Sequence, residues 1–244
     1  MPVSEPPPKW GTDDITKFID TAYANAQVTF VNLEAEYSRI SQIDGVLRKL
    51  CENLSHMDEW FAAFFVLRSH STWLAAATLA MSARVAETYI MLRATIENGL
   101  YGLHIAKHPD LQVVWLRRHA SPNHKSRIRK EFKFGNLVET LSREDANEAR
   151  VAQTLYDQCI DQGAHPNERA LMQNLKIEVG AQVTTFEVKY MNADPIMLGL
   201  ALMSTARVGV CVLGIFSHVY KTQFDLLGLS AQLPLLRDGL WTPV

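Results

Sequence analysis

From Thr12 onward the apolar residues Ile15, Phe18, Ile19, Tyr23, Phe30, Leu33, Tyr37 and Ile40 recur at helical spacing. The pattern predicts a long amphipathic helix, capped by Thr12 and interrupted near Gly45. Ser55 followed by Asp58 forms a start signal of the capping-box kind for a second helix through Trp60, Phe64, Leu67 and Leu74, ending near Ser82. A third is predicted from about Ala83 to Lys107, where His108 and Pro109 close it and open a short helix through Leu116. Ser121 and Pro122 start a basic helix. Gly135 separates it from a short one around Leu137 to Leu141, and Ser142 with Asp145 opens another that stops at Gly163.

Between Leu175 and Tyr190 the period changes from helical to alternating. Ile177, Val179, Val183, Phe186, Val188 and Tyr190 mark a small hairpin or irregular loop. Asp194 and Pro195 then launch a very apolar helix to about Leu227, closed by Gly228. Four or five long helices with short connections bury their stripes most simply as an antiparallel bundle. The expected fold is therefore all-α, an antiparallel helical bundle with a minor β-hairpin or irregular insertion. Residues 1–11 form a disordered Pro-rich tail and residues 12–244 a single domain.

Composition adds exclusions. The 24 basic and 26 acidic residues leave a formal charge of −2, which gives no global attraction to nucleic acid or anionic membrane. Cys51, Cys159 and Cys211 are too few and too separated for a disulfide framework or a paired-cysteine metal site, and read as small buried apolar side chains. The N-terminal residues lack the layout of a signal peptide. Arg207 at the middle of Leu198 to Phe216, like Arg68 and His70 within Trp60 to Met81, marks these apolar segments as core helices rather than membrane spans. A cytoplasmic location is expected.

Candidate chemistry lies in three places. On the third helix Ala86, Ile90, Arg93, Glu97, Leu100 and His104 fall in one narrow stripe, which sets two opposite charges and a histidine inside an apolar face. A buried Arg93–Glu97 pair four residues apart either fixes helix register or floors a pocket. The run Gly163-Ala-His165-Pro166-Asn167 ends a helix and displays His165 at an element end, with Asn167 beside it. Arg117 to Lys133 is the one local basic concentration. Its Arg118, His124, Lys125, Arg127 and Arg129 suit phosphate contacts, with Phe132 and Phe134 as stacking surface, although a solvated helix face is the commoner origin of such a run. Phosphate-loop, zinc-protease and hydrolase motifs are absent, so the sequence implies neither a cofactor nor a metal.

Several of these segments together resemble a known group. Arg68 to Leu79, Glu87 to Glu97 with its Arg-x-x-x-Glu, Asp110 to Arg118, and Gly163 to Asn167 are similar to an uncharacterised all-helical bacterial family of unknown function, itself distantly similar to HEPN helical bundles. The resemblance covers most of the chain from about Met57 and implies a helical bundle. HEPN ribonucleases carry an Arg four to six residues before a His, a spacing that Arg118 and His124 match. It thereby implies RNA binding or metal-independent RNA cleavage through those two residues.

No complete catalytic constellation assembles from the sequence. The leading expectation is a non-enzymatic bundle that binds a protein partner or small ligand near Arg93, Glu97, His104, His165 and Asn167. Self-association into a homo-oligomer fits this expectation. The HEPN-like RNA-directed reading is the alternative.

Overall fold

A computed structural model describes residues 6–54, 60–166, 168–172, 174–180 and 183–241. Helices α1 (Asp14–Asn32), α2 (Glu34–Glu52), α3 (Trp60–Met81) and α4 (Val85–Lys107) come first, followed by α5 (Asp110–Leu116), α6 (Pro122–Glu131), α7 (Phe134–Glu144) and α8 (Ala146–Cys159). A π-helical turn, Ile160–Ala164, and the short α9 (Glu168–Met172) lead into strands β1 (Leu175–Val179) and β2 (Thr184–Val188). The chain closes with α10 (Pro195–Ser217), α11 (Lys221–Leu226) and α12 (Leu229–Arg237). The protein is all-α with one small antiparallel hairpin.

Local chemistry explains most boundaries. Asp13, not Thr12, caps α1 by accepting from the Thr16 N–H. The first helix breaks at Leu33 rather than Gly45, and Gly45 continues inside α2. The Ser55 and Asp58 start signal lies outside the described residues. Ser121 accepts from the His124 N–H above Pro122, and Asp145 and Asp194 cap α8 and α10 in the same way. The break after α6 falls at Phe132 and Lys133, so Gly135 sits inside α7 and Ser142 near its end. The last apolar stretch stops at Ser217, ten residues before the predicted end, and Gly228 in left-handed conformation instead separates α11 from α12.

The core lies where α3, α4 and α10 cross, with α2 and α8 against them. Trp73 of α3 is fully buried and donates its indole N–H to the Thr205 carbonyl at 2.8 Å. A Cβ on Gly209 would stand 2.6 Å from that same indole nitrogen, so glycine is what lets the two helices approach. Among the described residues α10 is the one helix long and apolar enough to cross a membrane, and it is mostly buried within the chain. Its Arg207 reaches out to donate to the Leu240 carbonyl at 2.7 Å and lies over the Trp241 ring.

A second charged device sits deeper. Glu148 of α8 is buried and takes the Arg237 guanidinium of α12 in an ion pair. A Cβ on Gly214 would meet the Glu148 carboxylate at 2.6 Å and the guanidinium at 2.7 Å. The pair therefore fills the space left by a missing side chain on α10.

Candidate functional site

Arg93 and Glu97 do pair along α4, with Arg93 Nε donating to Glu97 Oε1 at 3.0 Å. Their side chains keep 31% and 36% of their exposure, so the pair is not buried as the stripe predicts. The reason is packing: the neighbouring helix α8 offers Tyr156 there instead of aliphatic cover. Tyr156 donates its hydroxyl to the same carboxylate oxygen at 3.1 Å, its ring centroid lies 5.2 Å from the guanidinium, and Phe134 stacks on the ring. Burial, with Glu97 adding to it, pushes the Tyr156 phenol above its ordinary range, so it stays a donor.

The π-helical turn completes this junction. Gly163 has φ +149° and packs so tightly on α4 that a Cβ would lie 2.7 Å from the Ala86 carbonyl oxygen. The turn thus brings the Ala164 carbonyl 3.4 Å from Arg93 Nη1. The next residue, His165, is exposed and its Nδ1 pairs locally with the Pro166 carbonyl at 3.2 Å. Asn167 lies outside the described residues. Arg93 and Glu97 are thus joined to the main chain of the Gly163 run, while the His165 imidazole stands apart.

His104, two turns on from Glu97, belongs to a different place. It is buried, and its Nδ1 lies 2.7 Å from Thr140 Oγ1. The Thr140 hydroxyl proton goes to the Asn136 carbonyl at 3.0 Å, which makes His104 Nδ1 the donor and leaves buried Nε2 without a hydrogen-bond partner among the described residues. Burial, reinforced by the His108 ring 4.7 Å away, holds the His104 pKa down at about 4, with Asp110 and the Glu131 carbonyl pulling the other way. Asp110, Glu131, Glu139 and Arg143 rim a polar cleft of about 240 Å³ outside this histidine. No group of three or more His, Cys, Asp or Glu among the described residues is arranged to hold a metal ion.

The basic segment is split by structure. Arg117 and Arg118 lie in the turn after α5, whereas Lys125, Arg127 and Arg129 are exposed along α6. Among the described residues none of these five cations has an acidic partner, and no hydrogen bond joins Arg118 to His124. His124 Nδ1 instead pairs with its own cap, Ser121 Oγ, at 2.8 Å. Phe132 and Phe134 are not a free stacking surface. Phe132 is buried against Tyr101 and His104, and Phe134 is spent on Tyr156.

Two features escape the sequence reading. The apolar stripe of α1 is turned outward: Ile15, Ile19, Tyr23 and Phe30 are exposed, Ile15 to 74% and Tyr23 to 68%. The segment that follows β2 reaches a neighbouring face of α1, where Phe18 meets Tyr190 edge-on at 6.4 Å and Asn25 donates to Met191 Sδ. Register places Ile177 opposite Phe186 and Leu175 opposite Val188, so these residues and Val179 share one apolar face, while Lys176 and Glu187 share the other. The apolar face of β1 and β2 is almost wholly exposed. The second feature is Cys51, which is half-buried beside His70 rather than simply packed away like Cys159 and Cys211.

Neither protein-family models nor curated proteins nor solved structures match this chain, and its functional reading rests on its own geometry.

Proposed function

We propose that this chain is a non-enzymatic binding module that associates through the face formed by α1 and the hairpin, and that the occupant of that face is a second copy of the chain. The uncovered apolar side of the hairpin carries the reading. A two-stranded sheet is marginal in water on its own, and clean alternation of apolar and charged residues is the pattern of a sheet with one face buried. Here the described residues supply almost no cover for that face. The α1 stripe supports a like partner, since in an antiparallel pair Ile15 of one copy meets Phe30 of the other about Tyr23. Stripe and hairpin together offer on the order of 1,000 Å² of apolar surface, comparable to the ~800 Å² that each partner contributes to a standard interface.

Light scattering across a dilution series tests this. Dimer mass is expected at micromolar concentration, with Phe186→Lys and Ile19→Lys each giving monomers of unchanged helix content. A wild-type chain that stays monomeric at several hundred micromolar overturns the proposal.

A second reading, HEPN-like RNA binding or cleavage, is favoured by one observation: the exposed cations of the α5–α6 segment have no acidic partners among the described residues. Attraction to single-stranded RNA that falls steeply with salt supports binding. Cleavage without added metal, lost in both Arg118→Ala and His124→Ala, would establish the ribonuclease in place of the binding module. Engagement of His124 Nδ1 by its own cap residue Ser121 favours no cleavage. A cytoplasmic setting goes with either reading, supported by free cysteines and by burial of α10 within the chain.

A further inference from the structure

Asp44, Arg48 and Cys51 lie at intervals of four and three residues on α2, which puts them on one helix face. That face meets His70 of α3. Asp44 Oδ1 is 2.7 Å from His70 Nε2, and Arg48 Nε donates to the other carboxylate oxygen at 3.0 Å. On the far side of the ring, His70 Nδ1 is 3.6 Å from Cys51 Sγ. A carboxylate only accepts, so Nε2 carries the ring proton and the Nδ1 lone pair is turned to the thiol. A nucleophile, a base and a group that orients the base thus stand in line.

Beyond association, we propose that Cys51 is a site of stoichiometric acylation without turnover, with His70 as its base, Asp44 as the residue that positions His70, and a small activated acyl ester or thioester as the acyl donor. The Cys51 proton passes to Nδ1 as Sγ attacks the acyl carbon. The bond from that carbon to the leaving oxygen or sulfur breaks, and Nδ1 returns the proton to the leaving group. The products are a Cys51 thioester and a free alcohol or thiol, with no net redox change. This proton round trip is what separates acyl transfer from simple alkylation, and it is what an imidazole held with Nδ1 toward the thiol provides.

The surroundings decide how the thiol must react. Burial pushes its pKa up to about 11, Asp44 and Glu52 push the same way, and Arg48 opposes them. His70 is faced by Asp44 and Cys51 and stacks on Trp73. At neutral pH a thiol titrating near 11 is thiolate only about one part in ten thousand, so appreciable reactivity there has to come through the base. Cys159 and Cys211 are internal controls. Both are fully buried, burial holds Cys159 up at about 12 and raises Cys211 well above the ordinary thiol range, and among the described residues neither is bonded to a histidine.

The test uses the full chain and 4-nitrophenyl acetate, with nitrophenolate release and peptide mass both followed. One equivalent per chain is expected at pH 7, with the acetyl group on Cys51 and neither buried cysteine labelled. The rate should stop rising well before pH 11, and His70→Gln and Asp44→Asn should each slow it at least tenfold. The wild-type pH profile stands even where a variant folds poorly. A rate that climbs tenfold per pH unit through pH 10 and ignores both substitutions overturns the assignment, as does acetyl on lysines with Cys51 free.

Discussion

Helices α1 and α10 are both rich in apolar residues, and the chain treats them in opposite ways. Fifteen of the 23 residues of α10 are buried, whereas Thr29 is the one buried residue among the 19 of α1. The difference is one of neighbours. α10 is surrounded by α2, α3, α4, α8 and α12, so most of its surface finds cover, including the slots at Gly209 and Gly214 that receive Trp73 and the Glu148–Arg237 pair. α1 touches α2 and α3 along one edge and leaves its stripe to solvent. Apolar composition calls for burial, but it does not specify whether the cover comes from the same chain.

Substitutions at the two ends should therefore differ in kind. The largest expected effect is at Arg237→Ala, which strips the buried Glu148 carboxyl of its counter-ion and hydrogen-bond donor beneath α10 and should cost about 3–5 kcal/mol in chemical denaturation. Glu148→Gln should cost distinctly less, because burial already raises the pKa of that carboxyl and disfavours its charge. Equal losses in the two variants would mean that the pair matters as packing volume alone.

The response to acid at His104 comes next. Its folded pKa of about 4 lies below the ordinary imidazole value of 6.5, so the stability it carries is complete above 6.5 and is lost as pH falls toward 4. Denaturation midpoints should drop through that window by up to about 3 kcal/mol in stability, and His104→Gln should flatten the slope. An unchanged slope in the variant would move the acid sensitivity elsewhere.

Arg93→Ala should cost only about 1–2 kcal/mol, because a half-exposed pair is screened and the main loss is its packing on Tyr156 and the Ala164 carbonyl. The Arg93→Ala, Glu97→Ala double variant should cost less than the sum. Loss of more than 3 kcal/mol in the single variant would place the pair in the core after all.

At the other extreme, Phe186→Ser should change monomer stability by no more than about 0.5 kcal/mol while shifting the mass toward monomer. A large loss of monomer stability would show that the hairpin is covered from within, and would erase the contrast between α1 and α10.

Periodicity, caps and prolines made the helices legible in advance, as at Ser121-Pro122 and Asp194-Pro195, because these signals are local and act through the next turn of backbone. The hairpin between Leu175 and Tyr190 was equally legible, since alternation needs no knowledge of distant residues. Arg93 and Glu97 pair as their spacing implies. Their exposure was not readable, because it depends on Tyr156, 59 residues away. The same limit hid the Asp44, His70 and Cys51 line, whose 26-residue separation acquires meaning only when α2 lies on α3.

The sequence by itself determined where the chain is helical, where it turns and which residues are amphipathic, since these follow from forces acting within a few residues of one another. Only the tertiary structure decided which apolar faces meet and which stay open, which charges are enclosed and which imidazole lies beside a thiol. Those outcomes depend on helix crossings, and a crossing is set by shape at contact, such as the missing side chains at Gly209 and Gly214, rather than by any local pattern.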